Sequence, residues 1–167
     1  MRRFLLMLAG FVLALPAWSQ IYYSASQTTT LSAAAEIVTI QAPATQAAMT
    51  KLIQMKGVAV VCSVACTVSL ERDGTAATST SLTTNPILNG EPASTATAWH
   101  SSNVGTGTVL SQYQIAAGGT LNLDLTNKWM GTPGQNVTIR TSSITGTVNI
   151  NFMWIEWSPT FSPDSQH

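Results

Sequence analysis

The chain has 167 residues, only 8% of them charged, and its formal net charge is zero. Typical soluble domains are about 25% charged, so neutral polar residues must form most of the surface. The seven Lys and Arg residues form no basic patch, which argues against nucleic acid and anionic membranes as partners. The length suits one domain that buries its core without a metal ion or cofactor.

The amino terminus has the pattern of a secretory signal peptide. A basic start at Arg2 and Arg3 precedes an apolar stretch, residues 4–15, and small residues end the segment. The apolar stretch is shorter than the roughly 20 residues that a membrane-spanning helix needs. We therefore predict that residues 1–19 are a signal peptide cleaved after Ser19. The mature protein is expected to be secreted (periplasmic, extracellular or at the cell surface) without membrane insertion.

The first part of the mature chain is rich in β-favouring residues. Residues 20–35 combine Ile21, Tyr22 and Tyr23 with a polar half, which predicts either an edge strand or a tail that pairs with a neighbouring subunit. Residues 36–41 alternate in hydrophobicity and predict a strand that ends before Pro43.

Residues 45–56 allow two interpretations. Thr45 could cap a helix that Gly57 stops, or a strand could begin near Lys51 and run through Gly57 with a bulge. We favour the strand, because a helix ending at Lys56 leaves almost no connector before the apolar run at Val58.

Both cysteines lie in the longest apolar run of the mature chain. Residues four apart on one extended strand are separated by about 13 Å, too far for a disulfide. A Cys62–Cys66 bond therefore requires the chain to reverse at residues 63–65, and an oxidising compartment favours that bond. Reversal about Val64 places Val60 opposite Val68, which predicts a β-hairpin ending at the Asp73-Gly74 turn. Two thiols in one buried strand are the alternative, since residues 63–65 include none that favours the positive φ of a tight hairpin turn.

A long polar region, residues 75–107, follows that turn. It is rich in Ser, Thr, Pro and Gly, and only residues 96–99 suggest a short strand. Loops of this length are usually functional or partly disordered, so we expect any loop-based binding site to lie here.

The carboxyl-terminal part predicts four strands separated by glycine-containing turns. The last one is apolar on both faces near its end, as expected of a central strand. This spacing is typical of an all-β, single-domain antiparallel β-sandwich or jelly roll, which we place at residues 36–157 with a tail at 158–167. The four strands are residues 108–115, 120–125, 136–141 and 147–157.

The sequence offers little catalytic chemistry. His100 is the only histidine outside the tail, and the turn-forming residues around it favour an exposed loop position. A triad of His100, Asp124 and a serine can be drawn, but no G-x-S-x-G motif marks a nucleophile. Two cysteines four apart and one distant histidine match no metal-ligand set. We predict no enzymatic activity, no metal and no cofactor, with a hydrolase around His100 as the weaker alternative.

Several tryptophans could take part in binding. Trp99 and Trp129 would stack on sugar rings if exposed, and with His100 they are the candidate ligand-binding residues; Trp154 is expected in the core. The leading hypothesis is an exported non-enzymatic structural or adhesive protein, a self-associating subunit of an extracellular or cell-surface assembly. The alternative is a secreted carbohydrate-binding domain whose partner is a glycan.

Overall fold

A computed structural model describes residues 18–72, 80–101, 107–130 and 132–159. Strands make up most of these residues, and the one helical segment among them is a short 3-10 turn, Gln46–Ala48, capped by Thr45. The strands, in chain order, are β1 Trp18–Ala34, β2 Ile37–Gln41, β3 Leu52–Cys62, β4 Cys66–Arg72, β5 Thr80–Leu82, β6 Asn85–Pro86, β7 Thr97–Ser101, β8 Thr108–Ile115, β9 Thr120–Met130, β10 Asn136–Thr141 and β11 Ile144–Pro159.

These strands form two antiparallel sheets that pack face to face, which confirms the predicted β-sandwich. Sheet A has the order β6-β1-β11-β3-β9, and sheet B has the order β5-β7-β2-β10-β4-β8. Strand β11 is central in sheet A, as its apolar sequence predicted. The four carboxyl-terminal strands are also present, with β9 and β11 longer than expected.

Alternate residues of the strands build the core between the sheets. One face of β11, formed by Val148, Ile150, Phe152 and Trp154, is fully buried. Each side chain of this size contributes about 1.5–3 kcal/mol when it leaves water. Trp154 stacks on Tyr23 of β1 with 5.9 Å between ring centroids, which confirms its predicted place in the core.

The cysteines form the predicted disulfide, but the predicted β-hairpin is wrong. The Cys62 and Cys66 sulfur atoms are 2.08 Å apart, and the Cα atoms are 6.4 Å apart. Strand β3 pairs with β11 and β9 in sheet A, whereas β4 pairs with β10 and β8 in sheet B. The chain therefore crosses from one sheet to the other at residues 63–65, and the disulfide joins the two sheets across this β-arch.

The alternating pattern could not distinguish a hairpin from an arch. Val60 and Val68 point into one apolar interior in both arrangements, either as neighbours in one sheet or as facing residues of two. Turn chemistry favours the arch, because a two- or three-residue hairpin loop usually needs positive φ. Among the described residues only Ala33 has positive φ without being glycine, and it lies outside this turn. The chain crosses between the sheets a second time, between β8 and β9. In this crossing the backbone N–H of Gly118 donates a 2.9 Å hydrogen bond to the carbonyl oxygen of Cys62, so the two crossings are in contact.

The structure decides between the helix and the strand interpretations of residues 45–56. Strand β3 begins at Leu52 and has a bulge between Met55 and Gly57, so the favoured strand is confirmed. Gly57 is required where it lies, because a Cβ there would come within 2.9 Å of the Leu123 carbonyl oxygen.

Residues 20–34 belong to β1, which pairs with β11 of the same chain. The expected cleavage point after Ser19 falls inside this strand, since the backbone of Trp18 and Ser19 also pairs with β11. Residues 1–17 of the expected signal peptide, the expected turn at Asp73-Gly74, and residues 160–167 of the expected tail lie outside the described residues. Within the described part of the chain, no helix is long and apolar enough to cross a membrane.

Candidate functional sites

The three predicted ligand-binding residues lie in different parts of the sandwich. Trp99 and His100 are consecutive on β7 of sheet B and therefore point to opposite faces. Trp129 lies on β9 of sheet A, where its backbone pairs with Gln54. Its side chain is not among those that the structure describes. The structure does not bring these three residues together.

Trp99 lies on the outer face of sheet B. Its backbone partner on β2 is Thr39, and its indole Nε1 donates a 3.0 Å hydrogen bond to Thr97 Oγ1 on the same face. The ring is half-buried, so only part of it faces solvent. Residues 97–101 form a strand within the polar region because they pair with β2.

His100 occupies a strand, so the expectation of an exposed loop position is wrong. It pairs with Val38 and faces the inside of the sandwich, with its side chain 20% exposed. Its Nδ1 lies 3.2 Å from Glu36 Oε1, and Glu36 is 1% exposed. The turn-forming residues near His100 gave no sign of this pairing, since the partner lies 64 positions away.

Glu36 is the centre of a small polar cluster between the two sheets. Burial raises the pKa of the Glu36 carboxyl, while the charge of His100 and the neighbouring Thr29 hydroxyl oppose that rise. Gln27 Nε2 in turn donates a 2.6 Å bond to Thr29 Oγ1, so β1 contributes the polar groups facing this carboxyl.

This cluster does not form the triad drawn from the sequence. Asp124 lies on β9 at the edge of sheet A, where its Oδ1 accepts hydrogen bonds from the Thr126 backbone N–H and hydroxyl. His100 has Glu36 as its carboxylate partner instead. Among the described residues, no group of three or more His, Cys, Asp or Glu side chains could hold a metal ion.

A second buried carboxylate, Glu156, closes one end of the sandwich. Its oxygens accept hydrogen bonds from Ser94 Oγ, from the Thr95 backbone and hydroxyl, and from the Ala96 backbone, and Lys51 Nζ lies 3.2 Å away. Burial alone would raise the pKa of Glu156, but the donors from Ser94, Thr95 and Ala96 outweigh it and lower the pKa. Sequence reasoning missed this residue, although it lies two positions after Trp154 and therefore on the same, inward face of β11.

A third buried carboxylate, Glu71 of β4, faces outward on sheet B. Arg140 of β10 donates to it from Nε at 2.8 Å and from Nη2 at 3.3 Å, and the backbone N–H of Gly107 donates at 3.1 Å. All three buried glutamates therefore have a cationic or ionisable partner, which is the usual condition for burying a charge. Each of these ion pairs links strands or loops that are far apart in sequence.

One long edge strand of the sandwich, β8, has neither charged residues nor prolines. Strand β8 is last in sheet B and pairs only with β4 among the described strands. Its eight residues include no charge and no proline, and Val109 and Leu110 are 46% and 42% exposed. The neighbouring edge strand of sheet A, β9, carries Asp124 and Lys128. Natural sheets usually block their edges with charges, prolines or bulges. Of these three devices, the residues of β8 itself supply only the bulge at Leu110, opposite Leu70 and Glu71.

Comparison with known proteins finds no match: no family model, no curated protein and no solved structure is significantly similar to this chain.

Proposed function

We propose that the protein is an exported, non-enzymatic structural or adhesive subunit that self-associates through strand β8. The observation that carries this proposal is the uncharged edge of β8, which pairs with β4 alone among the strands that the structure describes and exposes Val109 and Leu110.

Pairing of β8 with β8 of a second copy is physically favourable. It would give hydrogen-bond partners to the backbone groups on the side of β8 that faces away from β4, and it would remove Val109 and Leu110 from water. The low overall charge supports the same idea, because two copies of a weakly charged protein repel each other little.

Export is supported by the signal-peptide pattern and by the Cys62–Cys66 disulfide, since such bonds persist mainly in oxidising compartments. Mass spectrometry of the protein recovered outside the cytoplasm tests it. Cleavage after Ser19 predicts Gln20 as the first residue, and a chain that still carries residues 1–19 would contradict this.

Sedimentation velocity and electron microscopy across a range of concentrations test self-association. We expect oligomers or fibres for the natural chain and a monomer for Val109→Lys, because a lysine at the edge places like charges next to each other in the paired copies. Leu88→Lys is the matched control, since Leu88 is 64% exposed but follows β6, away from the β8 edge. A natural chain that stays monomeric at every concentration would contradict the proposal, as would equal effects of the two variants.

The carbohydrate-binding alternative at Trp99 and Trp129 has less support. Trp99 is half-buried with its Nε1 already bonded to Thr97, and Trp129 belongs to the other sheet. A glycan array with Trp99→Ala tests it: binding that disappears in the variant would favour this alternative over a purely structural role.

A further inference from the structure

The outer face of sheet A carries neutral polar side chains in aligned rows. The strand register places Ser26 beside Asn151, then Ala59, then Asn122 across the four long strands. The next row runs Thr28, Asn149, Val61 and Thr120 in the same way. These side chains point outward because the residues that alternate with them, such as Ile150 and Val60, are fully buried.

This polar face has no charged residue in either row. Side chains in these rows and in the next one also bond to one another. Asn149 Nδ2 donates to Thr28 Oγ1 at 2.8 Å, and the hydroxyls of Thr30 and Thr147, which pair in the following row, are 3.4 Å apart. Hydroxyl and amide groups each offer donors and acceptors, so the face can bond a partner that also offers both.

An apolar strip continues the polar face toward the far end of β11. Tyr22, Leu52 and Met153 are 40%, 48% and 43% exposed, and Trp157 is half-buried among them. The register places these residues in three successive rows, next to the polar ones. Strands β1 and β11 pair without a shift from Trp18 to Ser32, so no bulge interrupts the surface between these two strands.

We propose that this outer face of sheet A binds a neutral, hydroxyl-rich polysaccharide. Sugar hydroxyls can both donate to and accept from the Ser, Thr and Asn side chains, and the apolar face of a sugar ring can stack on an exposed aromatic ring such as Tyr22. The two rows carry no charge, which matches a neutral partner; the nearest charge that the register places on this face is Asp124, at its β9 edge in the row of Met153. The site is separate from the β8 edge and from Trp99, so it does not depend on self-association.

A second copy of the chain fits this face less well than a glycan. Packing two copies face to face would bury two sets of Asn and Thr groups, and each group left without a partner costs free energy. A hydroxyl-rich polymer satisfies such groups and keeps part of the surface hydrated.

Retention on insoluble cellulose and chitin tests the proposal, with heparin beads as the charged comparison. We expect the purified protein to bind at least one neutral polymer equally well at low salt and at about 1 M salt, where charge–charge attraction is screened within about 3 Å. Heparin should not retain it.

Two variants locate the site. Ser26→Lys places a bulky charge in the middle of the polar face, and Tyr22→Ala removes the exposed ring; each should weaken binding about tenfold or more. Gln114→Lys, an exposed position on β8, should leave binding unchanged while testing the edge independently. Unchanged circular dichroism spectra would confirm that the variants fold.

Three results would overturn the proposal. They are no retention on either neutral polymer, retention that Ser26→Lys leaves unchanged, and binding that falls with rising salt. Loss of self-association in Ser26→Lys, without any glycan binding by the natural chain, would instead identify the face as an interface between copies.

Discussion

The two ends of strand β3 are closed by different kinds of bond. At Cys62 a disulfide joins two residues only four positions apart in sequence. At the other end, beside Ile53, Glu156 gathers donors from residues 94–96 and from Lys51, which are 60 to 105 positions away. The first end is fixed by a local covalent bond, and the second depends on the whole fold being in place. The second end should therefore be both more costly to disrupt and more sensitive to solvent conditions.

Removing the carboxylate at the polar end should have the largest effect on stability. Glu156→Ala leaves Lys51 and the donors of Ser94 and Thr95 without their acceptor, inside a site where Glu156 is completely buried. Breaking a buried ion pair in this way costs about 3–5 kcal/mol. Denaturant unfolding followed by tryptophan fluorescence measures the change. Asp124→Ala, at a fully exposed carboxyl, is the matched control and should have a much smaller effect.

Removing the disulfide should cost less. A cross-link that closes a loop of about five residues restricts the unfolded chain by about 2 kcal/mol in the chain-entropy description. Replacing both Cys62 and Cys66 by alanine should lower the free energy of unfolding by about this amount and leave the β-sheet circular dichroism unchanged. If the double variant lost more free energy of unfolding than Glu156→Ala, the disulfide end would contribute more to stability than the Glu156 end.

The contrast between a local bond and long-range contacts also explains which features could be predicted from the sequence. Alternation of apolar residues identified the strands and the inward residues of β11, and the spacing of the cysteines required a chain reversal. Neither signal reports which strands are neighbours, so the arch looked like a hairpin. The ionisable partners of Glu36 and Glu156, His100 and Lys51, lie more than 60 positions away in sequence, and no local pattern announces such pairs. The one local signal at Glu156 was its position two residues after Trp154, which places the carboxyl on the inward face without indicating its partners.

Lowering the pH should weaken the Glu156 end of β3 and leave the disulfide end unaffected. The folded-state pKa of Glu156 is lowered, so its contribution to stability is present above the ordinary value of 4.5 and is lost as pH falls through the folded pKa. Unfolding measured from pH about 6 down to about 3 should therefore show a steep loss in the natural chain and a shallower one in Glu156→Gln. The variant without Cys62 and Cys66 should keep the natural slope, because the disulfide does not titrate. Equal slopes in all three proteins would show that Glu156 has no special role in acid sensitivity.

Glu36 should respond to pH in the opposite direction, with the smallest effect of the series. Burial raises its folded-state pKa above 4.5, so the folded protein holds this proton more tightly than the unfolded chain does. Its contribution to stability is therefore greatest in acid and is lost as pH rises through the folded pKa. Glu36→Gln stays neutral at every pH, so its stability relative to the natural chain should increase as pH rises from 4.5 through the folded-state pKa. The measurement is the melting temperature of each protein as a function of pH. If the two melting temperatures change by the same amount as pH rises, the carboxyl beside His100 is not held in its neutral form.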